Sequence, residues 1–144
     1  MKPVLLDTGC IVALLDRSER HHDVCVSAAA ELQAPLVTCE PVIAEACYLL
    51  RRLPAAVDVV LQNVEQRVFQ IPLQLAAQAG AVRALLKKYA RVPMDLADAC
   101  LVHLAEELGT GEILTLDSDF QIYRWDRNRP FRLLVALQGG SQSL

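Results

Sequence analysis

Short apolar runs alternate with longer amphipathic segments along this chain, and that alternation restricts its possible folds more than any other feature. Runs at residues 3–6, 36–38, 68–71 and 113–116 are too short for helices and are typical of buried strands. Segments of helical periodicity separate them, and the longest of these covers residues 73–89. Strands that alternate with helices indicate a parallel sheet. The pattern therefore predicts a three-layer α/β/α sandwich with a central parallel sheet.

The length of the chain suits one domain. With 144 residues, 53% of them hydrophobic, the chain is able to bury roughly 70% of the surface that its unfolded form exposes. We predict one domain over residues 1–137 and a flexible C-terminal tail over residues 138–144, where small and polar residues dominate. No apolar run reaches the roughly 20 residues that a membrane span needs. The first residues do not have the pattern of a secretory signal, so we expect a cytoplasmic protein with no membrane partner.

Composition argues against two classes of binding site. The five cysteines form no CxxC pair, so we expect buried free thiols and no zinc bound by thiolates. A net charge of −3 excludes a protein that coats nucleic acid with a globally basic surface. Arginines do cluster between residues 124 and 132, and arginine suits bidentate contacts with phosphate. A solvated connection between a helix and a strand explains the cluster equally well. The candidate RNA-binding residues are Arg124, Arg127 and Arg129.

Four acidic residues lie where the pattern predicts buried structure. Asp7 and Asp117 each follow an apolar strand directly, and in open parallel sheets the functional crevice borders the carboxyl ends of the strands. Glu45 and Asp98 each interrupt the apolar face of a predicted helix. No basic residue lies at helical spacing to neutralise any of the four. Burying a carboxylate is unfavourable unless it is paired or binds a metal, so these acids need a common explanation.

A shared metal site explains the acids better than four separate structural roles. Taken singly, Asp7 and Asp117 have an ordinary role as helix caps. Taken together, two carboxylates about 4 Å apart repel by roughly 4 kcal/mol at an effective dielectric constant of 20, so a cluster must bind protons or a cation. A hard cation such as Mg²⁺ or Mn²⁺ fits oxygen ligands. Asp95 and Asp119 are additional candidate acids. Asp117 is favoured over Asp119 as a metal ligand because Asp117 lies at the predicted end of the strand.

Four segments of the chain form a pattern that spans nearly its whole length. The segments are Val4-Leu5-Leu6-Asp7-Thr8, Glu45 in a helix, Asp95-Leu96-Ala97-Asp98-Ala99, and Leu114-Thr115-Leu116-Asp117-Ser118-Asp119-Phe120. In their order, their spacing and the elements around them, these segments resemble the PIN-domain nucleases, most closely the single-domain toxins of the VapC type.

This resemblance implies a fold, an activity and partners. The fold would be a PIN-like sheet of strand order 3-2-1-4-5, and the activity that of a Mg²⁺- or Mn²⁺-dependent endoribonuclease. Thr8 and Thr115 match positions where the family often has a hydroxyl that steadies a carboxylate. The implied partners are an RNA substrate, a second copy of the chain in a homodimer and a small antitoxin protein. The residues implied as both metal ligands and catalytic residues are Asp7, Glu45, Asp98 and Asp117.

Three other kinds of protein share single features with this sequence. A non-catalytic protein-binding module on a PIN-like scaffold stays open, and metal dependence separates it from the enzyme. Asp117-Ser118-Asp119 after a strand is similar to the motif of haloacid-dehalogenase phosphatases, although in that family the motif opens the chain. Asp7-Thr8-Gly9 also spells the aspartic-protease triplet, but those proteases are built of β-structure and this chain is mostly helical by pattern, which excludes them.

Overall fold

The chain folds into a three-layer α/β/α sandwich, as its pattern predicts. The computed structural model describes residues 2–135, so the predicted tail at 138–144 and the domain boundary at 137 lie outside the described residues. A short 3-10 helix, Ser118–Gln121, follows the fourth strand. The strands are β1 (Val4–Leu6), β2 (Leu36–Val37), β3 (Phe69–Gln70), β4 (Glu112–Leu114), β5 (Arg124–Trp125), β6 (Arg129–Pro130) and β7 (Arg132–Leu133), and the helices are α1 (Thr8–Leu15), α2 (His22–Ala30), α3 (Glu40–Leu49), α4 (Pro54–Glu65), α5 (Leu75–Lys88) and α6 (Leu96–Leu108).

The five-stranded sheet has the order β3-β2-β1-β4-β7, and all neighbouring strands are parallel. This confirms the expected PIN-like order. The last strand of the sheet is seventh along the chain because β5 and β6 form a small antiparallel hairpin before it. Strands β1 and β4 are neighbours at the centre, with Leu6 opposite Leu114. The residues that follow these two strands therefore emerge side by side at one edge of the sheet.

The core lies where the central strands meet α6. All three residues of β1 are buried, and every residue of α6 from 97 to 105 is buried as well. A helix that is buried on all sides is typical of an inner position in a layered fold. In α2, by contrast, Cys25 is the one buried residue. The expectation of free thiols is confirmed for all five cysteines, of which four are buried: Cys10, Cys25, Cys39 and Cys100.

Several element boundaries differ from those that the sequence predicts, and helix capping explains the most important ones. The first helix was expected at residue 11, after a turn at Thr8 and Gly9, but α1 begins at Thr8. Asp7 caps α1 directly, so strand and helix are joined without a turn. Similarly, α6 begins at Leu96 and not at residue 94, because Asp95 is its N-cap. None of the helices within residues 2–135 is long and apolar enough to cross a lipid bilayer.

Candidate metal centre

Three carboxylates from distant parts of the chain converge at the carboxyl edge of the sheet. Asp7 follows β1, Asp117 lies in the loop after β4, and Asp98 lies in the first turn of α6. One carboxylate oxygen of each lies within 4.8 Å of those of the other two. Glu45 and Asp95 line the same open pocket, which has a volume of about 310 Å³. The geometry therefore joins acids that are separated by up to 110 residues in the sequence.

The backbone N–H of Asp7 and both of its carboxylate oxygens make hydrogen bonds. Its backbone N–H donates to the carbonyl oxygen of Leu114 at 3.0 Å, which ties the end of β1 to β4. Its Oδ1 accepts the backbone N–H of Thr8 at 2.8 Å, and its Oδ2 accepts the Thr115 hydroxyl at 2.7 Å. The side chain is 7% exposed. Asp7 is thus a helix cap and a member of the cluster at the same time.

Asp98 is fixed by a reciprocal cap at the start of α6. Its backbone N–H donates to Oδ1 of Asp95 at 2.8 Å, and the N–H of Asp95 donates to Oδ2 of Asp98 at 3.4 Å. This pair is a capping box made of two aspartates. The Tyr123 hydroxyl also donates to Oδ2 of Asp98, at 3.1 Å. Within residues 2–135, Oδ1 of Asp98 receives no hydrogen bond, so this oxygen is available to a ligand.

Two threonine hydroxyls each donate a hydrogen bond to one carboxylate of the site. The Thr115 hydroxyl donates to Asp7 and accepts the backbone N–H of Asp117 at 2.9 Å. The Thr8 hydroxyl donates to Oε1 of Glu45 at 2.9 Å. Each hydroxyl therefore orients one carboxylate, and metal ligands generally require such support.

Glu45 and Asp119 differ in placement from the three clustered acids. Glu45 was expected on a buried helix face, but its side chain is exposed and borders the pocket. The buried face of α3 is formed instead by Val42, Ile43 and Ala46. Asp119 does not line the pocket; its backbone N–H donates to Oδ1 of Asp117 at 2.9 Å. Asp119 thus positions Asp117 through the main chain.

Burial raises the pKa of each clustered acid. Burial raises the pKa of Asp7 from 3.8 to about 6, although hydrogen bonds from Thr115 and Thr8 oppose the rise. Burial, and then the charges of Asp95 and Asp7, raise the pKa of Asp98 from 3.8 to about 7. The pKa of Asp117 is also raised, mainly by burial. These carboxylates are destabilised when ionised together.

The donor set of this pocket fits a hard divalent cation. The two ion pairs within residues 2–135, Arg129 with Asp126 and Arg132 with Glu112, include none of the clustered acids. Three carboxylates that share a pocket, with no cation from the described part of the chain to balance them, need either protons or a metal ion at neutral pH. All the available donors are oxygens, which Mg²⁺ and Mn²⁺ prefer.

The structure does not bring the predicted RNA-binding arginines to the clustered acids. Arg129 lines a different cavity, of about 550 Å³, together with Lys2 and Glu112. Lys2 precedes β1 and Glu112 begins β4, so this cavity lies at the amino edge of the sheet, opposite the acids. The Arg124 guanidinium instead donates to main-chain carbonyls of residues 121–123. Arg127 is exposed, with a left-handed backbone (φ 75°).

Sequence reasoning missed one residue of the site, Tyr123. Its hydroxyl reaches Asp98 across a separation of 25 residues, and no periodicity or motif links the two positions. The aspartate capping box was more accessible to prediction, because an acid three residues before another at a helix start is a recognisable signal.

Comparisons with known proteins agree with this architecture. The family model described as "PIN domain" matches residues 4–126. The crystal structure of Mycobacterium tuberculosis VapC20, described as a sarcin-ricin loop cleaving toxin, superposes with a TM-score of 0.77. The alignment has 18% sequence identity and covers 88% of this chain and 99% of that one; at this identity the superposition shows the shared fold. No curated protein sequence has a significant match to the chain.

Proposed function

Because this chain belongs to the PIN domain family, we propose that it is a Mg²⁺- or Mn²⁺-dependent endoribonuclease that hydrolyses RNA phosphodiester bonds. The observation that carries the proposal is the convergence of Asp7, Asp98 and Asp117 within 4.8 Å, with no protein cation among the described residues to neutralise them. An arrangement of this kind is unfavourable in a protein that binds no cation and is useful in one that does. It is the feature that a metal-dependent nuclease requires.

In this proposal Asp7, Asp98 and Asp117 hold the cation, and Glu45 completes the set from the rim of the pocket. When bound, a divalent cation activates water for attack on a phosphodiester and offsets the negative charge that develops on phosphate oxygens. The Thr115 hydroxyl orients the Asp7 carboxylate and accepts the backbone N–H of Asp117. The openness of the pocket towards solvent suits an extended polymer such as RNA. Because no covalent nucleophile is needed, acids and hydroxyls are a sufficient set of side chains.

We further propose that the protein is the toxin of a toxin–antitoxin pair. Support comes from the fold that it shares with VapC20, a toxin described as cleaving the sarcin-ricin loop. The proposal includes a cytoplasmic location, a homodimer, and a small antitoxin protein that covers the acidic pocket. As a separate proposal, Arg124, Arg127 and Arg129 bind the phosphates of the RNA. Because Arg129 lies at the opposite edge of the sheet, such contacts would hold RNA away from the site of cleavage.

The comparisons decide against one of the two alternative functions and leave the other open. The haloacid-dehalogenase interpretation of Asp117-Ser118-Asp119 is wrong, because the family model that matches residues 4–126 assigns the chain to the PIN domain family. The non-catalytic binding module would have the same fold, so only a measurement of metal binding and of RNA cleavage distinguishes it from the nuclease.

The decisive experiment is RNA cleavage by the purified protein with Mn²⁺, with Mg²⁺ and with a chelator. We expect cleavage with either metal and none with the chelator. The variant Asp7→Asn should be inactive, whereas Asp58→Asn, which changes an exposed acid on α4, should cleave as the wild type does. Activity that survives both the chelator and Asp7→Asn would indicate a contaminant or another mechanism. A folded wild type that neither binds metal nor cleaves RNA would favour the binding module.

A further inference from the structure

Tyr123 is a buried tyrosine whose hydroxyl is aimed at the candidate metal centre. It lies between the 3-10 helix and β5 and is 0% exposed. Its ring packs edge to face against Phe120, with the centroids 5.0 Å apart, and against Tyr89, with the centroids 5.1 Å apart. Packing on two sides restricts the ring to one orientation. The position of the hydroxyl is therefore set by the core and not by solvent.

This hydroxyl makes the shorter of the two hydrogen bonds that orient the Asp98 carboxylate. It lies 3.1 Å from Oδ2 of Asp98, whereas the backbone N–H of Asp95 lies 3.4 Å from the same oxygen. Both donors engage Oδ2, and within residues 2–135 Oδ1 receives no hydrogen bond. The two hydrogen bonds therefore distinguish the oxygens of one carboxylate: Oδ2 is tied to the protein and Oδ1 is left for a ligand.

The other clustered acids obtain their orientation from groups close in sequence or on the adjacent strand. Asp7 is oriented by Thr8 and by Thr115, and Asp117 by the N–H of Asp119. Tyr123 differs from these donors, because it reaches Asp98 from a separate segment of the chain and through a rigid aromatic ring. Without its hydroxyl, only the long hydrogen bond from the capping box would hold the Asp98 carboxylate.

We propose that Tyr123 is a positioning residue that fixes the Asp98 carboxylate so that its Oδ1 binds the divalent cation. The inference rests on the proposed metal-dependent function. It differs from a purely structural role, in which Tyr123 would only fill the core and satisfy a buried acid. A positioning role lowers metal affinity when the hydroxyl is lost, whereas a structural role lowers stability alone.

The test compares Mn²⁺ binding to metal-stripped wild type, Tyr123→Phe and Tyr89→Phe by titration calorimetry. Both substitutions keep an aromatic ring and remove one buried hydroxyl, but the Tyr89 hydroxyl accepts the backbone N–H of Arg124 at 2.9 Å and makes no hydrogen bond to the cluster. We expect Tyr123→Phe to weaken Mn²⁺ binding by roughly 10- to 100-fold. Tyr89→Phe should bind as the wild type does. In RNA cleavage, Tyr123→Phe should need more Mn²⁺ for half-maximal rate yet approach the wild-type rate at saturation.

Each outcome separates the inference from the function on which it rests. Equal Mn²⁺ affinity in all three proteins would overturn the positioning role and leave the metal-dependent function intact. A wild type that binds no Mn²⁺ would overturn both. Should Tyr123→Phe unfold, the same comparison is made in a Gly80→Ala background. That residue lies in α5 with open space around its Cβ position, and alanine there favours the helix.

Discussion

Replacing Asp98 by asparagine tests the physical basis of the site without any RNA. Asp98 is 8% exposed, and burial together with the charges of Asp95 and Asp7 raises its pKa to about 7. Asparagine has nearly the same shape, and its side-chain oxygen still accepts the hydroxyl of Tyr123 and the N–H of Asp95. The substitution therefore removes a charge that the metal-free fold disfavours while it preserves the hydrogen bonds. We expect Asp98→Asn to stabilise the metal-free protein.

The size of the effect follows from the pKa. A pKa raised from 3.8 to about 7 corresponds to about 4 kcal/mol of unfolding free energy well above pH 7, at about 1.4 kcal/mol per pKa unit. Loss of a negative charge at the N-terminus of α6 offsets about 0.3–1 kcal/mol of this gain. The net stabilisation is therefore about 3 kcal/mol, which for a chain of this length raises Tm by about 10 °C.

The effect depends on pH in a defined direction. Because the pKa of Asp98 is higher in the folded state than its ordinary value of 3.8, the folded protein binds more protons than the unfolded chain between about pH 4 and pH 7. The stability of metal-free wild type therefore decreases as pH rises through this interval, and Asp7, with a pKa of about 6, acts in the same direction. The advantage of Asp98→Asn should be full at pH 8 and less than half as large at pH 5.

Thermal melting in chelator at pH 8 and at pH 5 measures this prediction, with Asp58→Asn as the control for loss of an exposed acid. Excess Mn²⁺ should then stabilise the wild type by about 2.7 kcal/mol at a concentration 100 times Kd, and Asp98→Asn should show no such gain. The reasoning is refuted if Asp98→Asn is no more stable than the wild type at pH 8 in chelator. An advantage that does not change between the two pH values would refute it equally.

Two further substitutions test other parts of the site. Thr115→Val removes the hydroxyl that donates to the Asp7 carboxylate and accepts the backbone N–H of Asp117. It should lower both stability, by about 1–3 kcal/mol, and Mn²⁺ affinity, measured by melting and calorimetry. Thr38→Val, which removes a buried hydroxyl bound to a main-chain carbonyl, should lower stability alone, and an equal loss of affinity in both variants would contradict a specific role. Replacing Arg127 and Arg129 together by alanine should weaken RNA binding and flatten its salt dependence, by a slope change of roughly 1–2. An unchanged salt slope in that double variant would count against RNA contacts at these arginines.

Much of the fold was predictable because local patterns report burial and periodicity. The short apolar runs before Asp7 and before Asp117 have the length and composition that are typical of buried strands in a parallel sheet. Parallel pairing then places the ends of these strands at one edge of the sheet. Helix starts were predicted less well. Both α1 and α6 begin at an aspartate cap, where the side chain binds the backbone and shifts the boundary by two or three residues from where the apolar pattern places it.

The burial of a side chain was harder to predict from its place on a helix face than the position of a strand was from an apolar run. Glu45 interrupts an apolar stripe in the sequence, yet its side chain is exposed at the rim of the pocket. A helix stripe is broad, and a residue at its border faces the core or solvent according to how the helix is rotated against the sheet. That rotation is a property of packing between elements, which a single helix does not specify.

By itself the sequence determined a parallel α/β sheet and the acids that follow its two central strands, because hydrophobic periodicity and position after an apolar run are local properties of the chain. The tertiary structure alone decided that Tyr123 donates to Asp98 from a distant segment, that Glu45 is exposed at the rim of the pocket, and that Arg129 lies at the opposite edge of the sheet. These are relations between parts of the chain far apart in sequence. They follow from how helices and strands pack against one another, and a one-dimensional pattern does not encode that packing.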